Sequence, residues 1–148
     1  MNRQRVLFLC THNSVRSQMA EGLLRTLDGD RFEVHSAGTA ASGVNPEAIR
    51  AMGEIGIDIR DQTSKTFERY RTQQIDWVIT VCDDAAEACP SFPGSVRRLH
   101  WSLPDPGRAP GDDRQRFAAF RQVRDRLRRL IEGFVAEHGD RLNKRAPE

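Results

Sequence analysis

The sequence predicts an α/β fold, a single-domain three-layer sandwich with a four-stranded parallel sheet and helices on both faces. The runs VLFLC (6–10) and DWVITVC (76–82) are almost entirely apolar, which is typical of strands covered on both faces. Strand patterns also alternate with helical patterns, as in parallel sheets built through right-handed crossovers. The chain of 148 residues is long enough for one domain with its own core. We expect this domain over residues 1–140 and a frayed tail at 141–148.

The first half of the chain alternates strand, helix and strand. The first strand leads into a polar loop and then into SQMAEGLLRTL (17–27), where Met19, Leu23 and Leu24 fall at helical spacing. FEVHSAG (32–38) alternates partly between polar and apolar residues and ends in a turn. We therefore predict a helix followed by a second strand.

The second half of the chain repeats this alternation. Asn45 and Pro46 open a helix predicted over 45–56, because asparagine is a favourable N-cap and proline suits the first helical position. After the second apolar strand, VRRLHW (96–101) is shorter and more polar, so we expect it at an edge of the sheet. Apolar residues from about 113 to 135 recur at steps of three and four, which predicts one long amphipathic helix.

Composition narrows the function classes. The formal net charge of +2 is too small to indicate nucleic-acid binding, and no apolar run approaches the roughly 20 residues of a membrane span. The N-terminus lacks the features of a signal peptide, so we expect a cytoplasmic protein, and we expect a monomer. In that compartment the 3 cysteines are buried thiols or redox groups rather than a structural disulfide framework.

The predicted topology brings three candidate chemical residues to one edge of the sheet. Cys10 ends the first strand, Cys82 ends the third, and Asp105 follows the fourth within WSLPDPG. In open parallel sheets, ligands bind outside the carboxyl ends of the strands. We therefore expect a site where these residues meet.

The loop CTHNSVRS at this edge has the features of an oxyanion cradle. It runs from a strand into a helix N-terminus, where unpaired N–H groups and the helix dipole favour an anion. Arg16 can clamp two oxygens of that anion, and the same field favours the thiolate form of Cys10, a nucleophile. The alternative is that Cys10 is a small buried core residue. The predicted substrate-binding residues are those of the loop: Thr11, His12, Asn13, Ser14, Val15, Arg16 and Ser17.

The loop resembles the phosphate-binding loop of the low-molecular-weight protein tyrosine phosphatases and of the thioredoxin-coupled arsenate reductases that share their fold. The resemblance extends from VLFLC through HSAG and GVNPEA to the step Asp105-Pro106. It implies that Cys10 attacks the central atom of the oxyanion, that Arg16 holds the oxyanion, and that Asp105 protonates the leaving oxygen.

The stretch VCDDAAEACP (81–90) favours the reductase branch, because reducing arsenate needs two electrons from thiols. The resemblance implies that Cys10 forms an arseno adduct, that Cys82 attacks Cys10 and releases arsenite, and that Cys89 then takes the disulfide from Cys82. Thioredoxin would reduce the Cys82–Cys89 bond, and no tightly bound cofactor is expected. Phosphate and sulfate would compete with arsenate for the loop.

The segment between the last two cysteines predicts a conformational change. DDAAEA should form a short helix that ends at Pro90. On such a helix seven steps separate Cys82 and Cys89 by roughly 10 Å, whereas a disulfide needs its Cα atoms within about 7 Å. We therefore expect oxidation to unwind residues 83–89.

Two other function classes stay open. A phosphatase typically carries aromatic residues after its aspartate-proline step, whereas Gly107 and Arg108 follow it here, so a small inorganic anion fits better than an aryl ester. A non-catalytic oxyanion or redox sensor would use the same thiols as a switch.

No metal site is predicted. A zinc site from Cys82, Cys89 and His100 fits no standard spacing. The resemblance implies a potassium site in some arsenate reductases, built from residues that match Asn13, Glu21, Ser36 and Thr63 and from an acidic side chain. That last position is Lys65 here, so we expect the ammonium group to replace the ion's charge.

Overall fold

A computed structural model describes residues 3–83, 85, 89, 92–94 and 96–139 of the chain. Its centre is a four-stranded, entirely parallel sheet in the order β2-β1-β3-β4. The strands are β1 (Gln4–Cys10), β2 (Phe32–Gly38), β3 (Trp77–Thr80) and β4 (Arg97–His100). This architecture confirms the predicted α/β fold class, with β4 at an edge as expected.

Three α-helices whose bounds lie within the described residues cover the strands. They are α1 (Arg16–Asp28), α2 (Pro46–Gly53) and α3 (Asp113–Phe134), with 3-10 turns at Phe67–Tyr70 and Pro106–Arg108 and a π-helical turn at Val135–Gly139. No helix in the part of the chain that the structure describes is long and apolar enough to cross a membrane.

The central strands are covered on both faces, as their apolar sequences predict. Residues 6–10 of β1 and all four residues of β3 are buried, and Trp77 of β3 packs edge-on against Phe134 with the ring centroids 5.1 Å apart. Burial of large aromatic side chains is a major stabilising term. The carboxyl ends of β1 and β3 are therefore held by a rigid core.

Local capping determines where the helices begin. The Asn45 side chain accepts a hydrogen bond of 2.8 Å from the Glu47 N–H, and Pro46 takes the first helical position of α2, as predicted. α3 begins with a capping box between Asp112 and Gln115, which satisfies two backbone donors reciprocally. The N-cap of α1, Val15, makes no side-chain capping bond.

Two predicted boundaries are wrong. β3 ends at Thr80, so Cys82 lies two residues beyond the strand rather than at its end. α2 ends at Gly53 and does not reach residue 56, because Gly56 adopts a φ of +79° and reverses the chain. The Ile57 N–H then donates back to the Met52 carbonyl, at 3.0 Å.

Two predicted features lie partly or wholly outside the described residues. Of the expected helix at 83–89, the described residues are Asp83 and Ala85, which are helical, and Cys89, which is not. The expected tail at 141–148 lies wholly beyond the described part.

Candidate active site

The residues predicted at the strand ends lie around one cleft. A cavity of about 300 Å³ is lined by Thr11, Arg16, Cys82 and Asp105, among others. A second cavity of about 260 Å³ is lined by Cys10, Ser14, Val15 and again by Arg16 and Asp105. His12 and Arg108 line both cavities. The structure thus brings the predicted loop and acid residues together at the carboxyl edge of the sheet.

Cys10 ends β1 beneath the loop. It is 3% exposed, and its Sγ lies 2.9 Å from Ser17 Oγ, in the first turn of α1. That turn contains no acidic residue and has no side-chain cap, so its N–H groups and dipole are available to an anion. A hydroxyl donor and a positive helix end both stabilise a thiolate sulfur.

Asn13 fixes the shape of the loop. It has a φ of +48° and is fully buried. Its Nδ2 donates to Ser17 Oγ at 2.8 Å and to Ser36 Oγ at 2.9 Å, while its Oδ1 accepts from the Lys65 N–H at 2.8 Å. Asparagine tolerates this left-handed conformation better than most residues. One side chain thus joins the loop to α1, β2 and the segment at residue 65.

Backbone contacts hold the loop from outside. The carbonyl groups of Thr11, His12 and Ser14 accept hydrogen bonds of 2.9–3.1 Å from N–H groups in residues 40–45. Because the C=O and N–H groups of a trans peptide point in opposite directions, the N–H groups of these same peptides point away from that segment. The loop backbone is therefore arranged as a set of donors for an oxyanion.

Arg16 has an N–H group that is available to a ligand at the cleft. Its side chain is only 12% exposed, and its Nη1 donates to the Leu103 carbonyl at 3.0 Å. Its Nε is buried and has no hydrogen-bond partner among the described residues. A buried donor without a partner is costly, so the guanidinium is fixed in place while one N–H is left for a ligand. An oxyanion fits that requirement.

Asp105 is positioned by the turn that follows it. Its Oδ1 accepts from the Gly107 N–H at 2.9 Å as the cap of the 3-10 turn. Its Oδ2 lies 4.0 Å from Arg16 Nη2 and 3.7 Å from Arg108 Nε. One carboxyl oxygen is thus fixed by the backbone, and the other is directed toward the two guanidinium groups at the cleft.

The three cysteines are reduced thiols in two different places. Cys82 is buried, and its Sγ lies 3.2 Å from Thr11 Oγ1 in the loop. Cys89 is half-buried, and its Sγ accepts a hydrogen bond of 2.7 Å from Arg98 Nη1 on β4. It lines a different cavity, of about 200 Å³, beside β3 and β4. The structure therefore places Cys10 and Cys82 in the linings of two cavities that share Arg16 and Asp105, and it places Cys89 at the edge of the sheet.

A buried carboxylate lies behind the loop. Glu21 accepts hydrogen bonds from Ser36 Oγ, at 2.5 Å, and from Arg25. The Lys65 ammonium donates to the Thr63 carbonyl at 2.7 Å and lies 3.9 Å from Glu21 Oε1. Burial lowers the pKa of Lys65, and the charge of Glu21 opposes that shift. The ammonium thus lies among oxygen atoms that the resemblance assigns to potassium, and no cluster of metal-ligating side chains occurs within the described ranges.

Sequence reasoning missed several residues of the cleft. Asp83 and Arg108 line it, and the Leu103 carbonyl holds Arg16. The His100 ring is hydrogen-bonded to the Thr80 hydroxyl at 2.7 Å and to the Asp83 carboxylate at 2.8 Å. The hydrogen bond from His100, together with one from Ser102, lowers the pKa of Asp83. No spacing in the sequence distinguishes these residues from ordinary turn and surface residues.

Comparisons with known proteins agree with this geometry. Residues 5–146 match the family model described as low molecular weight phosphotyrosine protein phosphatase. An arsenate reductase from Halalkalibacterium halodurans is 49% identical over 135 residues, 91% of this chain and 97% of the relative.

Solved structures show the same likeness. One described as an arsenate reductase in the phosphate binding state has a TM-score of 0.74 and 36% identity, covering 90% of this chain and 98% of that one. A thioredoxin-dependent arsenate reductase from Corynebacterium glutamicum has a TM-score of 0.64 and 32% identity, covering 92% of this chain and 64% of that one. The chain therefore belongs to the low molecular weight phosphotyrosine protein phosphatase family, and it is similar to the arsenate reductases of that fold.

Proposed function

We propose that the protein is an arsenate reductase in which Cys10, Cys82 and Cys89 form a thiol/disulfide relay regenerated by thioredoxin. The observation that carries the proposal is that two buried free thiols, Cys10 and Cys82, line two cavities that share Arg16 and Asp105. A phosphatase needs only one of them. The similarity to arsenate reductases over most of the chain supports the same activity.

The first step is nucleophilic attack on arsenic. Arsenate binds against the loop N–H groups and the available donors of Arg16, which neutralise its charge. The Cys10 thiolate attacks arsenic and forms an As–S bond, while one As–O bond breaks. The group that leaves is a hydroxyl of arsenate, and Asp105 gives it the proton with which it departs as water. Ser17 stabilises the attacking sulfur through its contact with Cys10.

The second step transfers two electrons to arsenic. Cys82, held against Thr11 in the loop, attacks the Cys10 sulfur as a thiolate. A Cys10–Cys82 disulfide forms, the As–S bond breaks, and its electron pair stays on arsenic. Arsenic is thereby reduced from As(V) to As(III) and leaves as arsenite. The two thiols supply both electrons, so the chemistry needs no tightly bound cofactor.

The third step moves the disulfide away from the cleft. The Cys89 thiolate attacks the sulfur of Cys82, a Cys82–Cys89 bond forms, and Cys10 leaves as a thiolate. Thioredoxin then reduces the new disulfide by thiol–disulfide exchange. The helix predicted from the sequence over 83–89 unwinds in this step, since an intact helix would hold the two Cα atoms too far apart.

The cleft accepts small oxyanions more readily than aryl esters. The described residues that line its two cavities include no phenylalanine, tyrosine or tryptophan. An aromatic leaving group therefore has no aromatic side chain among them on which to stack. Phosphate and sulfate bind the same donors and compete with arsenate. Slow aryl-phosphate hydrolysis is the second candidate activity, because Cys10, Arg16 and Asp105 also suit phosphoryl transfer.

The deciding experiment is arsenate-dependent NADPH consumption with thioredoxin and thioredoxin reductase. Wild type should turn over continuously, whereas Cys89→Ser should stop after at most one equivalent of arsenite. Aryl-phosphate hydrolysis by the same variant serves as the control, because it needs Cys10 and not Cys89. A wild-type protein that hydrolyses the ester and consumes no NADPH is a phosphatase, and one that does neither is a sensor.

We further propose that the enzyme is a cytoplasmic monomer. A thiol relay functions in a compartment that keeps cysteines reduced. Light scattering on the reduced protein tests the monomer, and a mass of twice 16.8 kDa would contradict it.

A further inference from the structure

The thiol of Cys89 is held by a guanidinium group at the edge of the sheet. Arg98 lies on the edge strand β4, and its Nη1 donates to Cys89 Sγ at 2.7 Å. Both residues line the cavity of about 200 Å³ beside β3. This contact connects the last thiol of the relay to the edge strand of the sheet.

We propose that Arg98 is a positioning residue for the final step of the relay, holding Cys89 as a thiolate that is ready to attack the Cys10–Cys82 disulfide. This inference rests on the proposed function. Arginine keeps its charge at every relevant pH, and a cation beside a cysteine favours the thiolate, which is the nucleophile in disulfide exchange. Hydrogen bonds to an ionised partner are also shorter and stronger than neutral ones.

The contact between Arg98 and Cys89 depends on the redox state of Cys89. While Cys89 carries negative charge, Arg98 keeps it at the edge of the sheet. When Cys89 attacks Cys82, its electron pair enters the new S–S bond and the negative charge leaves on Cys10. The neutral disulfide sulfur has little attraction for the guanidinium, so nothing in this contact opposes the movement. Reduction by thioredoxin restores the thiolate and with it the contact.

Besides Cys89 and Arg98, one further titratable residue, His100, lines this cavity in the described part of the chain. Its ring nitrogens contact Thr80 and the Asp83 carboxylate. Asp83 therefore balances any charge that His100 acquires. Arg97, the neighbour of Arg98, places its guanidinium over the Trp77 ring, 5.2 Å from the centroid. It carries the same charge on the same strand without contacting Cys89, which makes it a matched control.

The direct test measures the reactivity of Cys89 alone. In a Cys10→Ser/Cys82→Ser background Cys89 is the only thiol, because the chain has 3 cysteines. At about pH 7 we expect Arg98→Met to slow iodoacetamide alkylation about fivefold, with the rates converging above about pH 10, where the thiol is ionised in either case. Arg97→Met should leave the profile unchanged, and Arg98→Lys should restore most of the rate. Superimposable profiles for Arg98→Met and Arg97→Met would overturn the proposal.

A single-turnover experiment links this reactivity to the relay. With all three cysteines present, Arg98→Met should release arsenite as fast as wild type but accumulate the Cys10–Cys82 disulfide, which peptide mapping detects. Slow alkylation combined with an unchanged final step would overturn the role in the relay. If wild type releases no arsenite, the proposed function fails while the alkylation result still stands. Unfolding midpoints of the variants identify any loss of folding.

Discussion

Replacing Asn13 with alanine removes the side chain that fixes the oxyanion loop. The buried Asn13 makes three side-chain hydrogen bonds, of 2.8, 2.9 and 2.8 Å, to Ser17, Ser36 and the Lys65 backbone. Each such bond contributes about 1 kcal/mol. Alanine at a φ of +48° adds a backbone penalty of about 1 kcal/mol. We therefore expect a total loss of about 4 kcal/mol in the free energy of unfolding.

The assay separates the hydrogen bonds from the backbone conformation. For a chain of this size, about 4 kcal/mol corresponds to a fall in Tm of about 8–16 °C, which calorimetry and urea unfolding followed by circular dichroism both measure. Asn13→Gly is the matched variant, because it loses the same three bonds but accepts the positive φ. It should be more stable than Asn13→Ala by about 1 kcal/mol.

Two results would refute this reasoning. A loss below about 1 kcal/mol in Asn13→Ala would mean that the three bonds do not constrain the loop. Equal stability of the alanine and glycine variants would mean that the left-handed conformation carries no penalty at Asn13. Turnover of the alanine variant should fall in parallel with stability, because the loop N–H groups no longer converge on the oxyanion.

Three further predictions concern the surroundings of the site. A methyl group on Gly38 would lie 2.5–2.8 Å from three backbone atoms of the loop and its neighbouring segment, so Gly38→Ala should lower stability by about 3 kcal/mol, and a loss below about 1 kcal/mol would contradict it. Hydrogen bonds from Arg121 and Arg124 lower the pKa of Glu54 from 4.5 to about 2. Because the folded-state pKa is the lower one, the contribution of Glu54 is complete above pH 4.5 and is lost as the pH falls toward about 2. The midpoint of urea unfolding should therefore decline less over that pH range in Glu54→Gln than in wild type. Equal declines in the two proteins would contradict this role of Glu54. Since the Lys65 ammonium already lies beside Thr63 and Glu21, turnover should be the same in potassium and sodium chloride, and a several-fold rise with potassium alone would disprove this.

The fold was predictable because its signals are local. Burial on both faces gives β1 and β3 their apolar runs, and burial of one face gives α3 its apolar spacing of three and four residues. Asn45 and Pro46 specify the start of α2. The wrong predictions concern the C-terminal ends of two elements. β3 stops at Thr80 and α2 at Gly53. After α2 the chain reverses through the positive φ of Gly56, a backbone dihedral that apolar spacing does not encode.

The strand–loop–helix arrangement of residues 10–17 was predictable for the same reason, since Cys10, Asn13 and Ser17 lie close together in the chain and contact one another locally. The role of these residues in binding an oxyanion stays a prediction. The tertiary structure alone decided the partners that come from distant parts of the chain. Leu103 holds Arg16 through a carbonyl, an interaction that any residue type provides. The helix predicted at 83–89 stays a prediction.

The sequence by itself determined the strands, the loop and the identity of three thiols, because local hydrophobic periodicity and a contiguous motif suffice for these. Only the tertiary structure decided that Cys82 contacts the loop through Thr11 and that Cys89 contacts Arg98 on an edge strand. The physical reason is that hydrogen bonds and ion pairs act over a few ångströms in space, and parallel strands bring residues together in an order that their separation along the chain does not reveal.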